Sequence, residues 1–283
     1  MEQTDADVVR HLDQAAFDDW RRRRGYPDPV PLRTRENILS NWRRDPQGCF
    51  VAEVSHRAAG YVFCRTWGRV GWFGPLGVAP EFQNRGIGRA LVEGAVEYLD
   101  RRGCTTIALA TMPEEPGNVA LYIRCGFRPD QVSLILGHEC DSAAGVPRYA
   151  LWPDLPPPAR DHLVAEVLPL MTHAARPGLD LTPEILAAER DGFGETLIMG
   201  EAVDPWGFAV VRTRPKREGE SLVALGVEAC ALAPGHEGRV DELLRVLGHF
   251  TAARGVGRIL LPVSATYWPA LQRMLELGCR AVH

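Results

Sequence analysis

The chain has 283 residues, 46% hydrophobic and 24% charged, which suits two globular domains better than one small one. A net charge of −4 gives no global pointer to nucleic acid. No apolar run approaches the roughly 20 residues that span a bilayer, so no membrane partner is expected. The acidic, polar opening Met1–Asp5 lacks the basic start and apolar stretch of a secretory signal, so a cytoplasmic protein is expected. Seven cysteines, odd in number and without a CxxC pair, read as reduced, mostly buried small hydrophobes. The histidines do not cluster with them, so no metal is expected.

In chain order, Asp7–Trp20 places Val8, Val9, Leu12, Ala15, Ala16 and Phe17 at helical spacing, and Thr34–Trp42 predicts a second helix. Cys49–Val54, Ala59–Trp67 and Trp72–Val78 read as strands. Gly86–Arg101 is a strong helix, with Ile87, Leu91, Ala95 and Leu99 on one face. Thr105–Ala110 is a buried strand, Asn118–Cys125 a short helix stopped by Gly126, and Gln131–Gly137 a strand. The predicted order is α-α-β-β-β-α-β-α-β.

Asp141–Arg160 reads as a linker. It holds Ser142–Gly145, Pro147, Pro153 and Pro156–Pro158, a proline density that resists regular structure, around a short strand at Arg148–Trp152. The remainder repeats the same order: helices at Arg160–Ala174 and Pro183–Glu189, strands at Thr196–Met199, Trp206–Thr213 and Leu222–Leu232, a helix at Gly238–Ala253, a strand at Ile259–Val263 and a helix at Trp268–Leu277. Landmarks coincide. Pro80 matches Pro234, and the helix-ending pairs Gly103/Gly126 and Gly255/Gly278 are each 23 positions apart. One fold used twice is expected, with domains at residues 1–143 and 144–283.

The chemistry concentrates in Leu76–Arg89, where a strand ends, Pro80 breaks it and a glycine-containing turn opens a helix. First-turn amides have no intrahelical acceptor and the helix dipole favours negative charge there, so a pyrophosphate suits the site. Gly86 and Gly88 remove side chains where the backbone must approach phosphate oxygens, and Arg85 and Arg89 add cationic donors. A bare GxG is equally an ordinary strand-to-helix turn. It is no P-loop, because no Gly-Lys-Ser/Thr follows, and no dinucleotide fingerprint.

The longer pattern is more specific. Val78-x-Pro80-x-x-Gln83-x-x-Gly86-x-Gly88 resembles motif A of the GNAT (Gcn5-related N-acetyltransferase) superfamily. About 40 residues on, Ala120-Leu-Tyr-x-x-Cys-Gly-Phe127 resembles its motif B. The resemblance implies two tandem α/β folds of the acyl-CoA N-acyltransferase type, each a mixed, mostly antiparallel sheet flanked by helices. It implies acetyl-CoA as the acyl donor and an amine of a small molecule or peptide as the acceptor, in a monomer or homodimer. By the carry-over, Leu76, Gly77 and Val78 lie beside the acyl thioester. Gln83, Asn84, Arg85, Gly86, Ile87, Gly88 and Arg89 hold the pyrophosphate side of the cofactor, and Tyr122 protonates the departing thiolate. A buried structural tyrosine is the alternative for Tyr122.

Two positions depart from the family pattern. Glu115 stands where asparagine is common, and Asn118 is the candidate to replace that cofactor contact. Ala110 stands where some relatives carry a glutamate base, which leaves proton removal to water or to a less basic acceptor. Glu114 and Glu115 are either bases in its place or, the commoner reading, loop surface. The early first helix also leaves little room for the family's first strand.

In the second half, Glu237–Glu242 stands opposite Gln83–Gly88, with Val240 for Gly86 and Glu242 for Gly88, and Met274 stands opposite Tyr122. Both grip and acid are missing, so this half is expected to be a degenerate copy. The gap between the strands ending near Val78 and Ala110 is expected to be open, and its counterpart in the second half narrower or plugged. Arg21–Arg24 either draws an anionic acceptor or is a solvated helix end. Trp67, Trp72 and Phe73 line a pocket or pack the core, and His138 is a base or a surface residue. The competing function is a non-catalytic acyl-CoA sensor or interaction protein.

Overall fold

In the computed structural model the residues described are 1–140, 145 and 147–282. They form two compact units, Met1–Pro129 with Lys216–Glu220, and Asp130–Pro215 with Ser221–His283. The expected division between residues 143 and 144, and the Ser142–Ala144 part of the predicted linker, lie outside the described residues.

In unit 1, α1 (Ala6–Arg23) and α2 (Arg35–Arg44) precede the strands β1 (Cys49–Val54), β2 (Arg57–Trp67) and β3 (Val70–Val78). Then come α3 (Ile87–Arg101), β4 (Thr106–Ala108) and α4 (Pro116–Arg124). The Thr34 side chain accepts from the Asn37 amide and starts α2. The sheet order is β1-β2-β3-β4, antiparallel except for the parallel β3–β4 pair. Strand β2 is central and alternates between two cores. Tyr61 and Phe63 pack with Val9, Leu12 and Ile38 of α1 and α2, while Val62 and Cys64 pack with Leu91, Val92, Ala95 and Leu99 of α3. No strand precedes α1 among the described residues; a short 3-10 turn, Gln3–Asp5, stands there.

Unit 2 holds β5 (Ser133–Glu139), β6 (Tyr149–Leu151), α5 (Pro157–His162), α6 (Leu168–Ala175) and α7 (Thr182–Asp191). It continues with β7 (Gly194–Glu201), β8 (Asp204–Arg212), β9 (Leu225–Leu232), α8 (Val240–Ala252), β10 (Arg258–Ser264), α9 (Trp268–Glu276) and β11 (Arg280–Ala281). Its seven-stranded sheet runs β11-β5-β10-β9-β8-β7-β6. Met199, Val211, Ile259 and Leu261 face α8 and α9 on one side, and Ile198, Phe208 and Val210 face α6 and α7 on the other. The repeat inferred from sequence is visible in the helix ends: Gly103, Gly126, Gly255 and Gly278 all have left-handed φ between +71° and +90°.

The strand foreseen at Gln131–Gly137 exists as β5 but does not join the first sheet. It pairs antiparallel with β10, from Ser133↔Ser264 to Glu139↔Arg258, and its other edge takes β11. Among the described residues no helix is long and apolar enough to cross a membrane.

Candidate active site

Strand β3 is irregular where it matters. Its pairing with β2 shifts between Val62 and Cys64, so Phe63 alone stands against Gly74 and Pro75. Such a bulge bends a strand, and Pro75 has no N–H to offer a neighbour. The β3–β4 ladder covers only Val70–Trp72 against Thr106–Ala108. Beyond it the two chains part, and the gap opens into a cleft of about 710 Å³. Phe73–Val78 forms one side and Ala110–Met112 the other, so the expected opening between these strand ends is present.

Of the residues singled out in the sequence, Leu76, Gly77, Val78, Gln83, Asn84, Gly86, Gly88, Arg89, Asn118 and Tyr122 line this cleft. Arg85 and Ile87 are not among its lining residues. The Ile87 side chain packs into the core, and the Arg85 guanidinium lies 5.7 Å from the Phe82 ring centroid. The turn itself is held open by backbone conformation. Asn84 (φ +59°) and Gly86 (φ +84°) are both left-handed, and Gly86 is the N-cap of α3. The Gln83 side-chain amide donates to the Val78 carbonyl at 3.1 Å, which ties the turn to the strand end. Gly77 has a packing reason as well: a Cβ there would lie 2.8 Å from Tyr61 Cε1 and 3.2 Å from Ala16 Cβ. Arg89 lies at the rim with its Nε donating to Glu93 at 2.7 Å.

Tyr122 stands half-buried on α4, in a three-ring group with Phe73 and Phe127 at centroid separations of 5.6–6.3 Å. Burial pushes its phenol pKa above the ordinary value of 10.0, with a smaller contribution from Cys125. The side chain therefore holds its proton at neutral pH.

The acceptor clues resolve unevenly. Phe73 lines the cleft, while Trp67 and Trp72 are not among its lining residues and pack against one another, tilted by 34° with ring centroids 5.8 Å apart. Glu115, read as loop surface, lines the cleft and is gripped by Arg24 at 2.7 Å; Arg24 also reaches the Glu114 carbonyl at 2.5 Å. The other arginines of the run are engaged locally. Arg21 lies over Tyr26 and donates to the Asp28 carbonyl, and Arg22 and Arg23 pair with Asp19. His138 is not among the lining residues of this cleft; it stands in β5 of unit 2, with its Nδ1 3.6 Å from Cys279 Sγ. The wall not anticipated is α1, which contributes Ala16, Phe17, Trp20 and Arg23. Its fully buried residues, Ala6, Val9, Leu12 and Asp13, all lie in its first half. Its second half is less buried and lines the cleft, with Ala16 close against Gly77 of β3.

The corresponding place in unit 2 is built differently. Strand β9 also leaves its parallel neighbour early, pairing with β10 only at Leu225 and Gly226. Here, however, Leu271 and Met274 of α9 are buried in the same cluster that Cys230 and Leu232 pack against. Helix α4, by contrast, buries none of its residues fully. The first turn of α8 carries Asp241 and Glu242, held by Arg273 at 2.8 Å and Arg239 at 3.3 Å. The helix end is thus filled by its own carboxylates and their partners.

The sequence model of the Acetyltransferase (GNAT) family matches residues 9–127. An uncharacterized N-acetyltransferase of Methanocaldococcus jannaschii is 35% identical over 97 residues, covering 32% of this chain and 43% of that protein. One of Archaeoglobus fulgidus is 36% identical over 105 residues, 32% of this chain and 71% of the relative. Several curated relatives are thus matched over less than half their own length. A solved tandem GNAT protein from the clavulanic acid biosynthesis pathway superposes with a TM-score of 0.58 at 17% identity, covering 99% of this chain and 94% of that one.

Proposed function

The chain belongs to the GNAT acetyltransferase family as a tandem member, and from that premise we propose that its first domain, residues 1–143, moves an acetyl group from acetyl-CoA to an amine of a small molecule or peptide. The observation that carries this reading is the cleft. One opening combines a parted strand end at Leu76–Val78, a left-handed glycine turn at a helix N-terminus and a protonated phenol at Tyr122.

These features fit a long thioester with a pyrophosphate. Its volume lies within the usual range for ligand pockets. The strand edge beyond Trp72 has backbone groups without a β4 partner, which suits an amide-bearing arm along Leu76–Val78. The first amides of α3, with Arg89 at the rim, suit the pyrophosphate. Asn118, on the first turn of α4, is in reach of the same opening. Acetyl-CoA supplies the activated acetyl group. The amine nitrogen forms the new C–N bond as the C–S bond breaks, Tyr122 gives its proton to the departing sulfur, and water takes the proton of the amine. Residues 144–283 form a second domain of the same type without a working cosubstrate site, because Met274 and the paired carboxylates at α8 stand where Tyr122 and the glycine turn stand in the first.

One observation favours a non-catalytic acyl-CoA sensor instead. Ala110 lines the cleft where a base would stand, and the nearby carboxylate of Glu115 is bound to Arg24. Thiol release from acetyl-CoA over a broad amine panel separates the two. The enzyme reading expects turnover with at least one amine, and a loss of about 100-fold or more in kcat for Tyr122→Phe with donor affinity held within about threefold. Binding of acetyl-CoA without turnover on any amine supports the sensor.

A further inference from the structure

Lys216–Glu220 belongs to unit 1, although the chain on both sides of it belongs to unit 2. This arm lies antiparallel to the segment before α2. Arg33 and Arg217 form a β-bridge, Thr34 N donates to the Lys216 carbonyl at 3.0 Å, and Glu218 N donates to the Leu32 carbonyl at 2.8 Å. Arg217 then turns toward α1. Its Nη1 donates to the Pro31 carbonyl at 2.7 Å and lies 3.0 Å from Asp13 Oδ2, and its guanidinium carbon is 5.9 Å from the Phe17 ring centroid. Asp13 is fully buried, and its Oδ1 also accepts from Arg33 Nε at 2.7 Å and from the Tyr61 hydroxyl at 2.5 Å. Glu218 pairs with Arg10.

Positions 10, 13, 17, 20 and 24 follow one face along the helix and its cap. The arm holds Arg10, Asp13 and Phe17 of that face. Phe17 and Trp20 line the cleft, and Arg24, at the end of the face, holds Glu115. Leaving a buried carboxylate without its partners is costly, so this network defines where the helix stands.

We propose that Arg217 is a positioning residue for the acceptor: through Asp13 and Phe17 it sets the wall that α1 presents to the cleft. The inference rests on the acetyltransferase reading for its kinetic consequence and on the geometry alone for its structural one. It gives residues beyond position 143 a part in the first domain's site.

The test uses the full chain as wild type, Arg217→Met and Arg217→Lys. Hydrogen–deuterium exchange is followed in Ala16–Arg23, with α3 as the internal reference, and steady-state kinetics use an amine found in the panel. Arg217→Met is expected to raise exchange in Ala16–Arg23 by about tenfold or more while α3 is unchanged. Acceptor KM is expected to rise by about tenfold, with kcat and acetyl-CoA affinity held within about threefold, and Arg217→Lys is expected to recover most of both effects. Unchanged exchange in Ala16–Arg23, or an equal rise in α3, overturns the proposal. So does an unchanged acceptor KM in a variant whose α1 exchange has risen. Wild type that binds no acetyl-CoA defeats the acetyltransferase reading instead and leaves the exchange comparison to decide the role of Arg217.

Discussion

Tyr122 is the residue on which a catalytic account turns, and its environment makes a directional claim about pH. Burial first, and Cys125 second, raise its pKa above 10.0. A general acid acts only while protonated, so its contribution persists through neutral and mildly alkaline pH and is half lost only above pH 10. A pH–rate profile of wild type is therefore expected to show an alkaline fall with its midpoint above pH 10, absent from Tyr122→Phe. A fall between about pH 7 and pH 9 that vanishes in the variant would contradict this assignment. Tyr122 and Gly86 were legible in the sequence because each belongs to a short local pattern whose spacing is set by one turn or one helix. Phe17, Trp20 and Arg217 were not. Phe17 and Trp20 read as ordinary apolar residues of an amphipathic helix. Arg217 is brought to Asp13 from roughly 200 residues away, a juxtaposition that no local pattern encodes.

At the scale of elements, the cleft depends on how closely α1 approaches β3. A Cβ on Gly77 would meet Tyr61 Cε1 at 2.8 Å and Ala16 Cβ at 3.2 Å, and Tyr61 is fully buried with its hydroxyl on Asp13. The buried, hydrogen-bonded Tyr61 ring has little room to yield. Gly77→Ala is expected to cost about 1–3 kcal/mol in urea unfolding, by overpacking. Gly88→Ala is the contrast. Its Cβ would meet Leu121 Cδ2 at an ordinary 3.6 Å, so stability should stay within about 0.5 kcal/mol and any loss should appear in donor binding. Equal destabilisation by the two substitutions would refute the distinction. Element types were readable from periodicity; partners were not. The pattern at Gln131–Gly137 identifies a strand, but its partners, β10 and β11, lie far along the chain, where no local pattern reaches.

Over the whole molecule, several buried groups keep their protons when folded. Burial pushes Cys230 up to about 12 and Cys279 up to about 11. Burial and then Asp45 push Cys49 up to about 12, all from an ordinary 9.0. Burial and then Asp13 raise Tyr61 well above 10.0. A folded pKa above the unfolded one means that stability is fully present below the unfolded value and is lost as pH rises past it, because the unfolded chain releases protons that the folded chain retains. Urea midpoints are thus expected to hold from about pH 7 to about pH 8.5 and to decline from pH 9 upward. A flat profile up to pH 11 would show that these thiols and phenols are not withheld from water.

The two halves make the same fold and differ at the helix N-terminus that should receive pyrophosphate: a left-handed glycine turn before α3, and paired carboxylates at the start of α8. The direct test is a calorimetric titration of acetyl-CoA into the full chain, wild type and Gly86→Glu. One site per chain is expected in wild type and none in the variant. No binding to wild type, two sites per chain, or binding retained with Glu at position 86 would contradict it.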